Sequence, residues 1–125
     1  MSFVTVTGTM DENVSLSQNF KVKEFQCEGK LIIKKELIDK LQTLRNVLGR
    51  PLLVASGFRT PDHNAFVGGV PNSAHITGEA ADVYCPGVTA ETLAKLAIEV
   101  GFNGIGIAKN TIHVDIRPNK RNWRY

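Results

Sequence analysis

Asp82 is the residue hardest to place in this chain, and any fold has to accommodate it. It interrupts an apolar run, Ala80-Ala81-Asp82-Val83-Tyr84-Cys85, that otherwise reads as a short buried strand. A carboxylate there is costly unless a cation or a hydrogen-bond network compensates it. His75 stands seven residues earlier, after a stretch of turn-formers that begins at Gly68-Gly69-Val70-Pro71-Asn72. A histidine and an aspartate at this spacing arise often by chance.

Strand alternation adds a third group. In Thr111 to Arg117, the residues Ile112, Val114 and Ile116 share one face, while Thr111, His113, Asp115 and Arg117 share the other. The apolar set must meet the core, so His113 and Asp115 are expected to point together toward a cleft or solvent. The same rule sets Asp82 beside Ala80 and Tyr84, where the small Ala80 leaves room for something to approach. His75, Asp82 and His113 then form one cluster, and two readings of it stay open. One is a catalytic metal centre with three protein ligands and an open position. The other is a hydrogen-bonded structural group.

Helices are signalled around these strands. Ile33, Leu37, Leu41, Leu44 and Leu48 fall at steps of three and four, predicting a helix that Gly49 caps and Pro51 ends. Thr60-Pro61 predicts the N-cap and first position of a short helix through Val67, which Gly68-Gly69 closes. Thr89 predicts the cap of a helix through Val100, with Leu93, Leu96, Ala97 and Val100 as its stripe and Gly101 as its end. Strands are expected at Phe3 to Thr7, Leu52 to Ala55, Ala80 to Cys85, Gly104 to Ala108 and Thr111 to Arg117, the last two joined as a hairpin at Lys109-Asn110. Gly8 to Ser17 reads as a polar loop, with Phe20, Val22 and Phe25 anchoring the arm behind it. The expected architecture is α+β, a small antiparallel sheet with flanking helices. Residues 1–125 form one domain, and 1–15 a variable N-terminal arm.

The 125 residues, 42% of them hydrophobic and 22% charged, suffice for one core without staples. No apolar run approaches the ~18 residues of a membrane span. Met1 to Thr7 lacks the basic start and apolar centre of a secretory signal, so residence in the cytoplasm or export by another route is expected. Net charge is +3, with Arg117, Lys120, Arg121 and Arg124 gathered at the end. Beside Trp123 and Tyr125 they read as a solvated tail docked by its aromatics, in preference to a nucleic-acid surface. Cys27 and Cys85 fit no CxxC motif and are expected as buried free thiols.

Four motifs occur in order: Ser56-Gly57-Phe58-Arg59-Thr60, His63 to Gly69, Asn72-Ser73-Ala74-His75 through Gly78 to Asp82, and His113-Val114-Asp115. Together they resemble the zinc D-Ala-D-Ala carboxypeptidase family, whose fold is shared with Hedgehog signalling domains and vancomycin-resistance dipeptidases. The resemblance runs from Leu16 to Trp123. It implies Zn2+ held by His75, Asp82 and His113, and a peptidase acting on peptidoglycan stem peptides. It gives Arg59 the role of stabilising the substrate carbonyl, which suits a permanently charged guanidinium. Ser73 matches a serine that contacts substrate in related dipeptidases, or else serves as a loop hydroxyl satisfying a turn amide. Asp115 matches a recurrent aspartate that orients neighbouring groups, binds a substrate amine or acts as a base. His63 matches no ligand and is expected to cap or pack within its helix. Glu79 is expected to be solvated or paired with a lysine.

One departure stands out. Related peptidases often carry an acid three residues before the last histidine, where this chain has Asn110, and an amide cannot exchange a proton at neutral pH. The resemblance therefore implies either a zinc peptidase of bacterial cell-wall peptides or a metal-retaining, catalytically silent module that binds the wall or a protein. The first, acting as a monomer, suits a phage or prophage lysis enzyme, cytoplasmic until released to the wall, or a domain of a larger secreted hydrolase.

Overall fold

The computed structural model describes residues 3–6 and 13–125, so residues 1–2 of the expected arm, Thr7 at the end of the expected first strand and residues 8–12 of the expected loop lie outside the described residues. Strand β1 (Phe3–Val6) pairs antiparallel with β2 (Leu31–Lys34) as a two-stranded sheet. Helix α1 (Lys35–Leu48) follows, then β3 (Leu53–Ser56), α2 (Pro61–Phe66), β4 (Ala80–Tyr84), α3 (Ala90–Val100), β5 (Gly104–Ile107), β6 (Ile112–Asp115) and β7 (Arg121–Arg124). The main sheet has the order β3-β4-β6-β5-β7. Its first four strands are antiparallel, and β7 runs parallel to β5. The α+β class stands, but the sheet is mixed, because the basic tail is its fifth strand and not a solvated appendage.

The helices behave as local rules require. Leu37, Ile38, Leu41 and Leu44 bury the inner stripe of α1, and Gly49 ends it in the left-handed conformation at φ 67°. The side chain of Thr89 accepts from Thr92 N–H to start α3, and Gly101 closes it at φ 106°. Helix α3 packs over β5 and β6, α1 packs against α3 and β2, and their buried stripes join Ala81, Val83, Ile105, Ile112 and Val114 in one core. Phe20, Val22 and Phe25 are buried in the same core. Two boundaries differ from expectation. Ile33 belongs to β2, where burial alternates with a period of two, so its spacing to Leu37 only mimics a helical step. The apolar run Leu52-Leu53-Val54-Ala55, which by itself reads as a buried strand, supplies an edge strand, because β3 has a neighbour on one side only.

With one face closed by helices, the other face and the 73–79 loop carry the polar groups. Gly78 holds that loop against β2, with its carbonyl accepting from Lys34 N–H at 2.9 Å. Its φ is +75°, and a Cβ there would overlap the carbonyl oxygen of Ile32. Gly78→Ala is therefore expected to cost at least about 2 kcal/mol, combining left-handed strain with the overlap, and urea denaturation would measure it.

Glu79 is fastened beside it by Lys34 at 2.8 Å, the lysine pairing anticipated from sequence. Burial pushes the Glu79 carboxyl up, but the Lys34 and Thr77 hydrogen bonds and the Lys34 charge outweigh it, holding it below the ordinary 4.5. A depressed carboxyl contributes stability above its unfolded pKa and loses it as pH falls through the folded one. Glu79→Gln should thus melt lower than the parent at neutral pH. The two melting curves should converge in acid below 4.5.

Candidate metal centre

The register of the main sheet lines up one lateral row. Ser56 pairs with Asp82, Asp82 with His113, His113 with Gly106, and Gly106 with Trp123. Cross-strand partners share a face, so the register of β4 and β6 brings Asp82 and His113 together. His75 arrives from the loop, which is stitched to the end of β3: Arg59 N–H donates to the His75 carbonyl at 3.1 Å. His75 Nε2 and His113 Nδ1 each lie 3.3 Å from Asp82 Oδ1. The donor atoms of all three residues fall within 4.8 Å of one another.

The far nitrogens decide what these near atoms are. His75 Nδ1 lies 2.8 Å from the Gly57 carbonyl, which can only accept. The Nδ1 therefore carries the proton, and in the neutral ring Nε2 presents a lone pair. His113 Nε2 lies 2.8 Å from Asp115 Oδ2, so the same reasoning leaves a lone pair on its Nδ1. Two imidazole lone pairs and a carboxylate oxygen thus converge with no proton between them, an arrangement that only a cation relieves. Burial raises the Asp82 carboxyl, but the His113 and His75 hydrogen bonds outweigh this and hold it well below the carboxylate range. Burial lowers the His113 imidazole, yet the Asp115 and Asp82 bonds leave it raised.

A metal fits the same geometry. Ligands about 2.0–2.1 Å from a tetrahedral ion stand roughly 3.3–3.4 Å apart, matching the 3.3 Å separations on Asp82. Two imidazoles and a carboxylate are donors of the class that suits zinc.

The profile of the Peptidase M15 family matches residues 6–116. The chain belongs to the peptidase M15 family. It is 26% identical to the peptidoglycan L,D-endopeptidase MepK of Escherichia coli K12 over 125 residues, covering 93% of this chain and 68% of that protein. The MepK of Shigella flexneri gives the same figures. The zinc D-Ala-D-Ala carboxypeptidase of Streptomyces albus G is 40% identical over 67 residues, 53% of this chain and 26% of that protein.

In this M15 peptidase the three donors open onto a cleft of about 550 Å³, lined also by Arg59, Ser73, Arg117, Trp123 and Tyr125. Arg59 is fixed at three points. Its Nε donates to Ser56 Oγ at 3.2 Å, and its terminal nitrogens donate to Asn64 Oδ1 at 3.4 Å and Asp82 Oδ2 at 3.3 Å. A guanidinium has five N–H donors, so two remain for a ligand. Ser73 lines the cleft, and its Oγ also accepts from His75 N–H at 3.2 Å, the loop-hydroxyl role named above. Asn110 is exposed and borders a different hollow, with Tyr84 and Glu91.

Asp115 needs correction as a cleft residue. It shares the face of His113 as alternation requires, yet it is 0% exposed and does not line the cleft. Its oxygens accept from His113 Nε2, Arg117 N–H and Arg121, the last at 2.5 Å. Held by these three donors, it sits behind His113 and away from the cleft.

Trp123 and Arg121 were not anticipated as site residues. Trp123 lies against His113 with ring centroids 5.1 Å apart, and Gly106 makes room for it, since a Cβ there would overlap the indole. A Cβ at Gly104 would likewise overlap the Asp115 carboxylate. The available signal was the Gly104-Ile105-Gly106 spacing itself, because glycine inside a strand marks close approach by another group.

Proposed function

We propose that this peptidase is a zinc enzyme hydrolysing stem peptides of bacterial peptidoglycan, with His75, Asp82 and His113 holding the metal. The observation that carries the reading is the convergence of two imidazole lone pairs and one carboxylate oxygen at 3.3 Å spacings beside a fixed arginine. Bound there, zinc supplies a Lewis acid and a means of activating water at neutral pH. The chain supplies the rest. Arg59 directs its two spare N–H donors at the substrate carbonyl, where negative charge grows during attack. Asp115 keeps His113 in the tautomer that leaves Nδ1 free. Trp123 and Tyr125 wall the cleft against the peptide, and Ser73 lies within reach of its backbone. The relatives named above include both an endopeptidase and a carboxypeptidase, and D-Ala-D-Ala carboxypeptidase activity is the finer expectation here. No helix among the described residues is long and apolar enough to cross a membrane. A monomer delivered to the wall at lysis, as a phage-type enzyme, suits this reading.

One observation favours a second reading. Asp82 is the sole carboxylate among the described cleft-lining residues, and it is already engaged by Arg59 and both imidazoles. A centre without a free carboxylate also suits a metal-retaining module that binds murein or a protein without cutting it. Digestion of purified murein and synthetic stem peptides by the zinc-loaded protein, read by mass spectrometry, separates the two. Loss of terminal D-Ala marks a carboxypeptidase, and shortened cross-links mark an endopeptidase. Intact substrate at full zinc occupancy selects the binding module.

A further inference from the structure

His63, set aside above as a residue of α2, stands in a second cluster that shares nothing with the first. Its backbone N–H makes the capping contact to Thr60 Oγ1 at 3.2 Å, so neither ring nitrogen is used by the cap. Across from it lies the tight turn Cys27-Glu28-Gly29-Lys30, closed by Cys27 N–H to Lys30 O and Lys30 N–H to Cys27 O, both at 2.9 Å. Glu28 and Gly29 both have positive φ, 53° and 72°, as a two-residue turn of this hand requires. Glycine adopts that conformation freely; glutamate does so only when its surroundings hold it there. The Glu28 side chain folds back over α2, where one oxygen accepts from Thr60 Oγ1 at 2.9 Å. The outcome is that a donor atom from each of Cys27, Glu28 and His63 falls within 4.8 Å of the others. Cys27 is a free, buried thiol, and His63 is half-buried.

We propose that Cys27, Glu28 and His63 form a second zinc site that clamps the 27–30 turn to the first turn of α2. Sulfur, imidazole and carboxylate on two separate segments are the donor types zinc accepts together. On coordination the Cys27 thiol releases its proton to solvent and binds as thiolate. The clamp closes beside Thr60, next to Arg59, so it steadies the segment that carries the cleft arginine. It does not depend on the peptidase reading, because it needs neither the first centre nor a substrate.

The sulfur makes the test specific. Cobalt(II) is titrated into the reduced full-length protein, and the near-ultraviolet thiolate-to-cobalt charge-transfer band is followed alongside zinc content by elemental analysis. The first centre has no sulfur and cannot give that band. The expected result is a band that saturates at stoichiometric cobalt, two zinc per chain, and loss of both the band and one zinc in Cys27→Ser and in His63→Ala. His113→Ala, which disables the first centre, keeps the band. No thiolate band, a band needing large excess of cobalt, or a band that survives His63→Ala but disappears in Cys85→Ser overturns the proposal. The unsubstituted protein decides the first two outcomes even if a variant fails to fold.

Discussion

Replacing His113 by alanine is expected to cost the chain one equivalent of zinc and reduce turnover to background. The imidazole is one of three converging donors, and the other two are held apart from any substitute: His75 by Gly57 and Asp82 by Arg59. Loss of a donor removes a metal bond outright, so the fall in affinity should exceed the about 10–100-fold typical of losing an outer hydrogen-bond partner. The fold should survive, because the buried Asp115 carboxylate keeps Arg121 at 2.5 Å and the Arg117 N–H at 3.2 Å. Asp115→Asn is the informative contrast. It keeps the shape but weakens the hold on His113 Nε2, and should weaken zinc binding only within that about 10–100-fold range. Elemental analysis after dialysis against a graded chelator reads both variants. Undiminished zinc in His113→Ala would refute the ligand assignment.

Arg59→Ala should leave zinc in place and cut turnover by a factor on the order of 10²–10³, the usual consequence of removing a donor to a developing oxyanion. Its three anchors make the guanidinium a preorganised group, with little side-chain freedom left to lose on substrate binding. Because one of those anchors is Asp82, a modest loss of metal affinity should accompany the substitution. Assays therefore belong at saturating zinc, where a purely structural arginine would show no remaining defect. Arg59→Lys sharpens the distinction, since an ammonium keeps the charge but cannot span Ser56, Asn64 and Asp82 together with a substrate. Unchanged turnover in both variants would assign Arg59 to the scaffold.

Much of the fold was readable wherever the cause of a structure lies close in the chain. Thr60, Thr89, Gly49 and Gly101 bound their helices because capping is a matter of neighbouring backbone groups. Asp82 and His113 could each be placed on the polar face of its strand because alternation is local too, while the pairing of those two strands is not. Ile33 was misplaced because a four-residue strand offers too few residues to distinguish a period of two from a helical step. The strand at Arg121–Arg124 was hidden for a different reason. Its exposed face is charged, and it pairs in parallel with β5, a neighbour that nothing nearby in the sequence identifies.

That last strand divides what each level of description decides. Local pattern was enough to single out His75, Asp82 and His113 as one cluster and to place two of them on one face; the family resemblance added Arg59. Pattern could not tell Asp82 from Asp115 by role, since both are carboxylates on that face with a histidine beside them. The resemblance implies different roles for them, and the tertiary structure gives them different surroundings. β7 lays Arg121 against Asp115 and Trp123 against His113, and Gly104 and Gly106 give the space to do so. Asp115 is thereby sealed behind His113, while Asp82 stays at the edge of the cleft. Alternation tells which way a side chain points; what covers it depends on chain brought in from elsewhere.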